Sequence, residues 1–587
     1  MDHHLFGRAG MSMIKMERVT NLAFLSGFRT RCMLVTSAFA MWWVIITLHI
    51  SHSPPGSTLF MGPSLDFSTQ AAGKDAAAAA SLHSLLLSTN PIAENSASGL
   101  HHHHHPDTQL SRALHDEEEE ERTFKEEEEE ENQVQQELVE DPCAGRYVYV
   151  HDLDPRFNEE LLRQCKKLNP WVDWCNVVSN AGLGTMVKNN NRSGSSSEED
   201  VEAGSSSLDL QLELESGAWF ETNQFALEMI FHNRMKQYTC LTKNSSQAAA
   251  IFVPFYAGLE LAMNLWGANI SVRDEAPAKL VGWLETQSEW KPHYGHDHFM
   301  VGGRITWDFR RETDDEGDWG NKLFVLPACL NMTLLVIEAS HLHQNDVGIP
   351  YPTYFHPSLD SQIHHWQQRM RQASRPWLFS FAGASRTEAL GGSIREDIIS
   401  QCSNSSRCKL LACQNDADNN ICLQPHHLMK LFSNSVFCVQ PPGDSYTRRS
   451  IFDSMLAGCI PVFFHERSAY TQYVWHLPAN HSSYSVMIAS SGENKADNIE
   501  EVLLRIPTAE VEHMRQTVIG FIPNLVYANP LAPPLQTSKD AFDIAVQAVI
   551  DRVAAWKVQN QQFQGLQKQG TEETAMSMHR RVQRRCN

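Results

Sequence analysis

The 587-residue sequence predicts an α/β protein of two consecutive units, and three observations point there. Short apolar runs alternate with segments of helical periodicity from residue 143 to about 555. Several of those runs end in turns built from Gly, Pro and Asp. The charge that dominates the composition lies outside this stretch. Alternation of this kind argues for helices packed on mostly parallel sheets.

Before the α/β region comes an apolar element, Cys32–Ile50, nineteen residues without a charge. At 1.5 Å per residue it reaches about 28 Å, close to a hydrocarbon core of roughly 30 Å. Arg8, Lys15, Arg18, Arg29 and Arg31 precede it, and no base follows before Lys74. The positive-inside rule then puts residues 1–31 in the cytoplasm and everything after 50 across the membrane, as for a type II signal-anchor. A cleaved signal peptide is the competing reading. Against it, the small-residue site Ala38–Phe39–Ala40 falls inside the apolar run rather than after it.

Residues 51–140 are low-complexity: an alanine run (76–80), five histidines (101–105), then acidic blocks. Between Asp107 and Asp141 lie sixteen acids and three bases, a net of −13 out of −21 for the whole chain. Such a run is solvated and self-repelling, and the segment reads as a stem. The remainder is only mildly acidic, and nothing in it suggests the basic face that nucleic acid would want.

The first unit, 141–372, opens with strand 146–150 and a turn at 151–155. A polar insert, 188–207, is expected on the surface, followed by a helix over 221–234 and a buried strand over 248–254. The second unit, 373–558, reads as strand 377–381, helix 394–401, strand 436–439, helix 445–457 and strand 460–464. The tail 559–587 is polar and expected to be loose.

Of thirteen cysteines, eleven fall between Cys143 and Cys459, with Cys402, Cys408, Cys413 and Cys422 crowded together. Beyond a membrane these read as disulfides; zinc competes, but no C-x2-C knuckle is present. Eleven is odd, so one stays free, and Cys459 is expected to be that one from its place in an apolar strand. Sequons at Asn191, Asn244, Asn269, Asn331, Asn404 and Asn480 all lie on the same expected side of the membrane.

The densest chemical signal is 437–465, FCVQPPGDSYTRRSIFDSMLAGCIPVFFH. A strand ends in Pro-Pro-Gly443-Asp444, Ser445 is placed as N-cap of the next helix, and Gly458 closes that helix. Tyr446 lies in the same turn, and a second strand ends at His465. Ligands of open α/β sheets bind beyond strand carboxyl ends, where helix N-termini meet phosphate. Arg448 and Arg449 stand in the first turn of the expected helix, where a cation opposes the dipole unless an anion binds. Asp453 is one turn on. The alternative is an Arg449–Asp453 ion pair worth a few tenths of a kcal/mol. A second strand-end loop, Ala382–Arg386, offers Arg386 as a diphosphate partner, or as a plain surface arginine.

The strings RYVYVHDLDPRFNEELL, WFETNQFALEMIFHNRM, HDHFMVGGRITWDFRR, NDVGIPYPTYFHP, RPWLFSFAGASR and QPPGDSYTRRSIFDSMLAGCIPVFFH all lie within residues 143–553. Over this length the chain resembles the exostosin-like glycosyltransferases, family 47, in their plant xyloglucan galactosyltransferase group. The resemblance implies a GT-B fold, two Rossmann-like domains facing a cleft. It also implies type II Golgi topology, and inverting transfer from a UDP-sugar with no cofactor and no essential metal. The nucleotide would lie in the second domain, with Asp453 at the position of a ribose-binding carboxylate. The implied partners are a UDP-sugar donor, a xyloglucan or related polysaccharide acceptor, the Golgi membrane and other Golgi glycosyltransferases. UDP-galactose is the first expectation, with UDP-galacturonate, UDP-arabinopyranose or a non-catalytic glycan-binding subunit as alternatives.

Two literal Asp-x-Asp sequences could suggest a manganese site, 152–154 and 416–418. The first follows the opening strand and the second sits in a cysteine-rich loop, so neither is expected to hold metal. Inversion needs a group to take the acceptor proton. HYGHDH, 293–298, offers Asp297 or His298 from the first unit. The same residues could instead bind acceptor hydroxyls or hold a loop.

Overall fold

The computed structural model describes residues 141–169, 173–187, 217–385, 392–413, 421–488 and 496–583. The apolar segment 32–50, the stem, the insert 188–207, Asn191, Arg386 and Asp416–Asp418 lie outside them. Among the described residues no helix is long and apolar enough to cross a membrane.

Two parallel sheets carry the fold. The first comprises β1 (Val148–Val150), β2 (Leu241–Thr242), β3 (Ala250–Val253), β4 (His298–Ile305), β5 (Thr333–Glu338) and β6 (Asp346–Gly348), in the order β2-β1-β3-β4-β5-β6. Every pairing is parallel. Parallel strands need crossovers. Helices α1 (Glu159–Arg163) and α2 (Leu227–Met235) lie between β1 and β2, and α3 (Ala257–Asn264) and α4 (Ile270–Thr286) between β3 and β4. β3 and β5 are buried along their whole length, as expected of strands covered on both faces.

The second sheet has β7 (Trp377–Gly383), β8 (Cys408–Ala412), β9 (Ser435–Gln440), β10 (Ile460–Phe463) and β11 (Val486–Met487), in the order β11-β10-β9-β7-β8. Helix α5 (Asp360–Gln372) precedes it. Helices α6 (Gly392–Asn404), α7 (Pro425–Ser433) and α8 (Arg449–Leu456) link its strands in turn. Then follow α9 (Ile499–Leu504), α10 (Thr508–Gly520) and α11 (Ala541–Gln583).

The strands read from apolar runs are found within a residue or two. Three expectations need correction. The helix expected from 221 begins at Leu227, because Asn223 Oδ1 accepts the Phe225 N–H at 2.9 Å and holds a turn there. The tail expected to be loose is helical through Gln583, since no proline follows Pro534 and good helix formers fill it. Cys459 is not free. It is bonded to Cys438 on the neighbouring strand, and the buried free thiol is Cys329. The remaining bridges are Cys143–Cys240, Cys165–Cys175, Cys402–Cys408 and Cys413–Cys422. Asn244, Asn269, Asn404 and Asn480 are exposed. Asn331 is half-buried, and the amide nitrogen a glycan would occupy donates to the Tyr294 carbonyl at 2.8 Å.

Helix α11 returns the chain to the first sheet. Asp540 caps it by accepting the Asp543 N–H at 2.9 Å, while Asp543 accepts the Asp540 N–H at 3.2 Å, a reciprocal cap. Asp540 also takes Arg234 Nε of α2 at 3.0 Å and the Ala528 N–H at 2.8 Å. Phe542 packs on Phe231, ring centroids 4.8 Å apart. Both members of the Arg234–Asp540 pair are buried, so removing one strands the other's charge. Asp540→Ala is therefore expected to cost about 3–5 kcal/mol. Guanidinium unfolding checks this. A shift no larger than that from removing the exposed Arg505–Glu501 pair would show that Arg234–Asp540 does not hold the helix.

Candidate active site

Strand β9 stops where Pro441 and Pro442 remove two N–H donors. The chain then turns back, with the Gly443 N–H donating to the Ser445 carbonyl at 2.9 Å. The absence of a side chain at position 443 makes room for the Arg448 guanidinium: a Cβ there would lie 0.9 Å from Nη2 and displace the arginine. Helix α8 begins at Arg449, with Arg448 in extended conformation as its N-cap. Ser445 is thus not the cap expected from sequence. Its hydroxyl is drawn instead to the Thr447 carbonyl at 3.4 Å and to Glu338. Gly458, at φ +64°, ends the helix as expected.

Glu338 is the residue that sequence reading missed. It ends β5 of the first sheet and is 1% exposed. One carboxylate oxygen accepts the Tyr446 N–H at 3.2 Å and the other the Thr447 hydroxyl at 3.3 Å. Burial pushes its carboxyl up to about 7, against the Ser445, Tyr446, Arg448 and Thr447 groups that favour the charged form. A carboxyl closing the apolar run Leu334–Ile337 was the available signal.

On α8, Arg449 lies over the Tyr354 ring at 3.5 Å, donates to the Thr222 carbonyl at 2.6 Å and places Nε 3.3 Å from Asp453 Oδ2. The Arg449–Asp453 ion pair is therefore present. It is buried, however, and among the described residues Asp453 Oδ1 has no hydrogen-bond partner. Burial raises the Asp453 carboxyl to about 6, with Arg449 acting against the rise. A buried acceptor left open is unusual in a native protein.

His465 follows β10. Its Nδ1 accepts the Arg467 N–H at 3.0 Å, so the neutral ring carries its hydrogen on Nε2. The ring stacks on Tyr446 at 4.3 Å, and Arg467 lies 5.3 Å from the same tyrosine. Burial and Arg467 hold His465 below its usual range. Gly443, Asp444, Ser445, Tyr446, Arg448, Arg449, Asp453 and His465 thus gather at the carboxyl ends of β9 and β10, with Glu338 meeting them from β5.

Asp297 and His298 lie elsewhere, at the amino end of β4. His298 Nδ1 is 2.7 Å from Asp297 Oδ1, and its Nε2 is 3.1 Å from His151 Nε2. His298 is completely enclosed, with Trp290 against its ring at 5.0 Å. His293 and His296 pack on Trp556 of α11 at 5.4 and 4.4 Å. The HYGHDH segment thus anchors the last helix. Both nitrogens of His298 are engaged, by Asp297 Oδ1 and by His151, whereas Asp297 Oδ2 lies 3.9 Å from His293 Nε2.

Another buried acid, Glu228 on α2, accepts the N–H groups of Gly258, Leu259 and Gly303 at 2.6, 3.3 and 2.9 Å. It ties the start of α3 to the end of β4. Its signal was an acid on the apolar face of a helix. For metal, the one His/Cys/Asp/Glu cluster among the described residues is Cys165, Asp173 and Cys175, whose sulfurs are bonded to each other.

Glu338 carries a testable linkage. A carboxyl whose folded pKa is raised from 4.5 to about 7 binds a proton in the folded state that the unfolded state releases. Stability then falls as pH rises between those values, by at most about 1.4 kcal/mol per pH unit. Glu338→Gln removes the term, so the stability of the variant relative to the native protein is expected to climb from pH 4.5 to 7. Denaturant melts at half-unit intervals measure it. Parallel curves would mean that Glu338 stays ionised in the fold.

Comparison with known proteins follows the same geography. The Exostosin GT47 domain matches residues 142–503. The chain is 54% identical over 414 residues to xyloglucan galactosyltransferase MUR3 of Arabidopsis thaliana, covering 70% of this chain and 63% of that one. It is 44% identical over 437 residues to a protein of the same organism named probable xyloglucan galactosyltransferase GT12, covering 74% and 82%. A third Arabidopsis thaliana relative, xyloglucan-specific galacturonosyltransferase 1, is 38% identical over 416 residues, covering 70% and 58%. The chain therefore spans less than two thirds of the first relative's length. On the domain match and these identities, the chain belongs to the exostosin family of glycosyltransferases, GT47.

Proposed function

We propose that this protein is an inverting glycosyltransferase of the GT-B type that moves galactose from UDP-galactose onto xyloglucan side chains. The observation that carries the reading is the Gly443–Asp453 segment. A strand-end turn without side-chain bulk leads into a helix N-terminus bearing two arginines, and one turn on a buried carboxylate keeps an open acceptor. Phosphate suits the arginines and the helix N–H groups. A ribose hydroxyl suits Asp453 Oδ1. Relatives named as xyloglucan galactosyltransferases support the sugar and the acceptor.

A specific observation favours a second reading of the donor. The relative named as a galacturonosyltransferase matches across a comparable length, so the segment that would meet UDP does not by itself select the sugar. We place the protein in the Golgi membrane, anchored through 32–50 with the catalytic part in the lumen, in company with other Golgi glycosyltransferases. This rests on the charge asymmetry around that segment. No metal is needed in this mechanism. Arg386, Arg448, Arg449 and helix N–H groups would meet the charge that develops on the leaving diphosphate.

The test is transfer itself. Protein incubated with xyloglucan oligosaccharides and UDP-galactose, UDP-galacturonate or UDP-arabinopyranose, with and without EDTA, should add one hexose mass from UDP-galactose in both conditions. Product from another donor alone would replace the sugar. Loss in EDTA restored by Mn²⁺ would overturn the metal-free donor site, and no product from any donor would favour a glycan-binding subunit.

A further inference from the structure

In the first sheet the chain leaves β1 toward β2 on one side and returns as β3 on the other. The gap between β1 and β3 is a topological switch point, where α/β sheets hold ligands beyond the strand carboxyl ends. A cavity of about 350 Å³ lies there, lined by residues that follow β1 (His151, Asp152), by Pro254 after β3, and by Glu159, His232 and Lys236. Its size falls within the range of small-molecule sites, about 300–1,000 Å³.

Its polar wall is backed from inside. His232 Nδ1 is held by the Tyr256 hydroxyl at 2.9 Å, and Lys236 lies 3.9 Å from Glu159. His151 heads a chain of three groups. Burial works against the charge on Asp297, but the hydrogen bond from His298 at 2.7 Å prevails and the carboxyl is held below the usual range. An ionised Asp297 accepts, so His298 Nδ1 carries hydrogen and the Nε2 of a neutral ring carries a lone pair. At 3.1 Å, His151 Nε2 must then be the donor, which leaves the lone pair of His151 on Nδ1. Among the described residues Nδ1 has no protein partner.

Resting on the transferase reading above, we propose that this cavity holds the acceptor saccharide, with His151 as the general base of the transfer. The mixture of neutral imidazoles, carboxylates and one ammonium suits a ligand rich in hydroxyls and without net charge. His151 Nδ1 takes the proton of the acceptor hydroxyl, and that oxygen forms its bond to the anomeric carbon. The bond from the anomeric carbon to the diphosphate breaks, and its electron pair leaves with UDP. His151 then holds two hydrogens, and His298 and Asp297 stabilise the positive charge through Nε2. They are positioning residues, whereas His151 touches substrate. A neutral, proton-accepting His151 agrees with burial lowering its pKa to about 4.

The experiment compares native protein, His151→Gln, His151→Ala and Asp297→Asn. It reads kcat and acceptor KM with a xyloglucan oligosaccharide and the active donor, and UDP affinity by calorimetry. His151→Gln should lose about 10²–10⁴ in kcat with UDP affinity unchanged. Imidazole added to His151→Ala should recover part of the rate, which a structural role would not allow. Asp297→Asn should lose less than His151→Gln, again at native UDP affinity. The proposal is overturned if His151→Gln keeps kcat within about threefold of native, or if UDP affinity falls in step with kcat. Should the native protein glycosylate a different polysaccharide, the xyloglucan reading fails alone, and the same comparison on that acceptor decides the role of His151.

Discussion

Glu338 is buried at the end of a fully buried strand, and it meets its hydrogen-bond partners in the turn that follows β9 of the other sheet. A carboxyl with nothing to accept from would cost several kcal/mol there. The partners it has are the N–H of Tyr446 and the hydroxyls of Ser445 and Thr447. That constraint fixes where the turn after β9 lies and draws Ser445 away from capping. The start of α8 moves to Arg449 in consequence, and the two arginines come to stand beside Gly443 and Tyr354. The donor-side geometry is therefore set from across the molecule and not by the turn alone.

Further contacts hold the same junction. Gln472 exchanges two hydrogen bonds with the Ala339 backbone, at 2.7 and 3.1 Å, directly after Glu338. The Tyr473 hydroxyl donates to the Ile337 carbonyl at 2.8 Å. Gly348 admits the Gln472 backbone so closely that a Cβ would lie 2.7 Å from its carbonyl oxygen. One apolar cluster runs through Phe252 and Phe299 of the first sheet to Phe452 of α8 and Tyr473 after β10, and on to Phe542 of α11. Packed interiors resist continuous deformation. A shift at the β5 end would thus be felt at the turn.

Much of this was legible in the sequence where a single segment carries its own signal. β3, β7, β9 and β10 are apolar runs bounded by turn residues, and each was found nearly to the residue. Gly458 ends its helix by a local rule and does so here. What failed was whatever depends on a partner distant in sequence. Ser445 has the right type and place for a cap, but Glu338, 107 positions earlier, claims its hydroxyl. Cys459 looks like a core residue until Cys438 is seen on the adjacent strand. For HYGHDH the sequence left catalysis and loop-holding both open, and what it could not show is that its outer histidines pack on Trp556 of the last helix. Its inner pair serves His151, which the sequence marked only as the start of a turn. The Arg449–Asp453 spacing was legible; the burial that leaves Asp453 Oδ1 open was not.

The central claim is that the segment from Gly443 to Asp453 holds the nucleotide. The most direct measurement is UDP affinity, by calorimetry, of the native protein and of Asp453→Asn. A carboxylate bonded to a ribose hydroxyl contributes about 1.5–3 kcal/mol as a charged acceptor, so the variant should bind UDP about tenfold to a hundredfold more weakly, with the fold retained. Native UDP affinity in Asp453→Asn, together with a lowered melting temperature, would contradict the account and leave the Arg449–Asp453 pair a purely structural one.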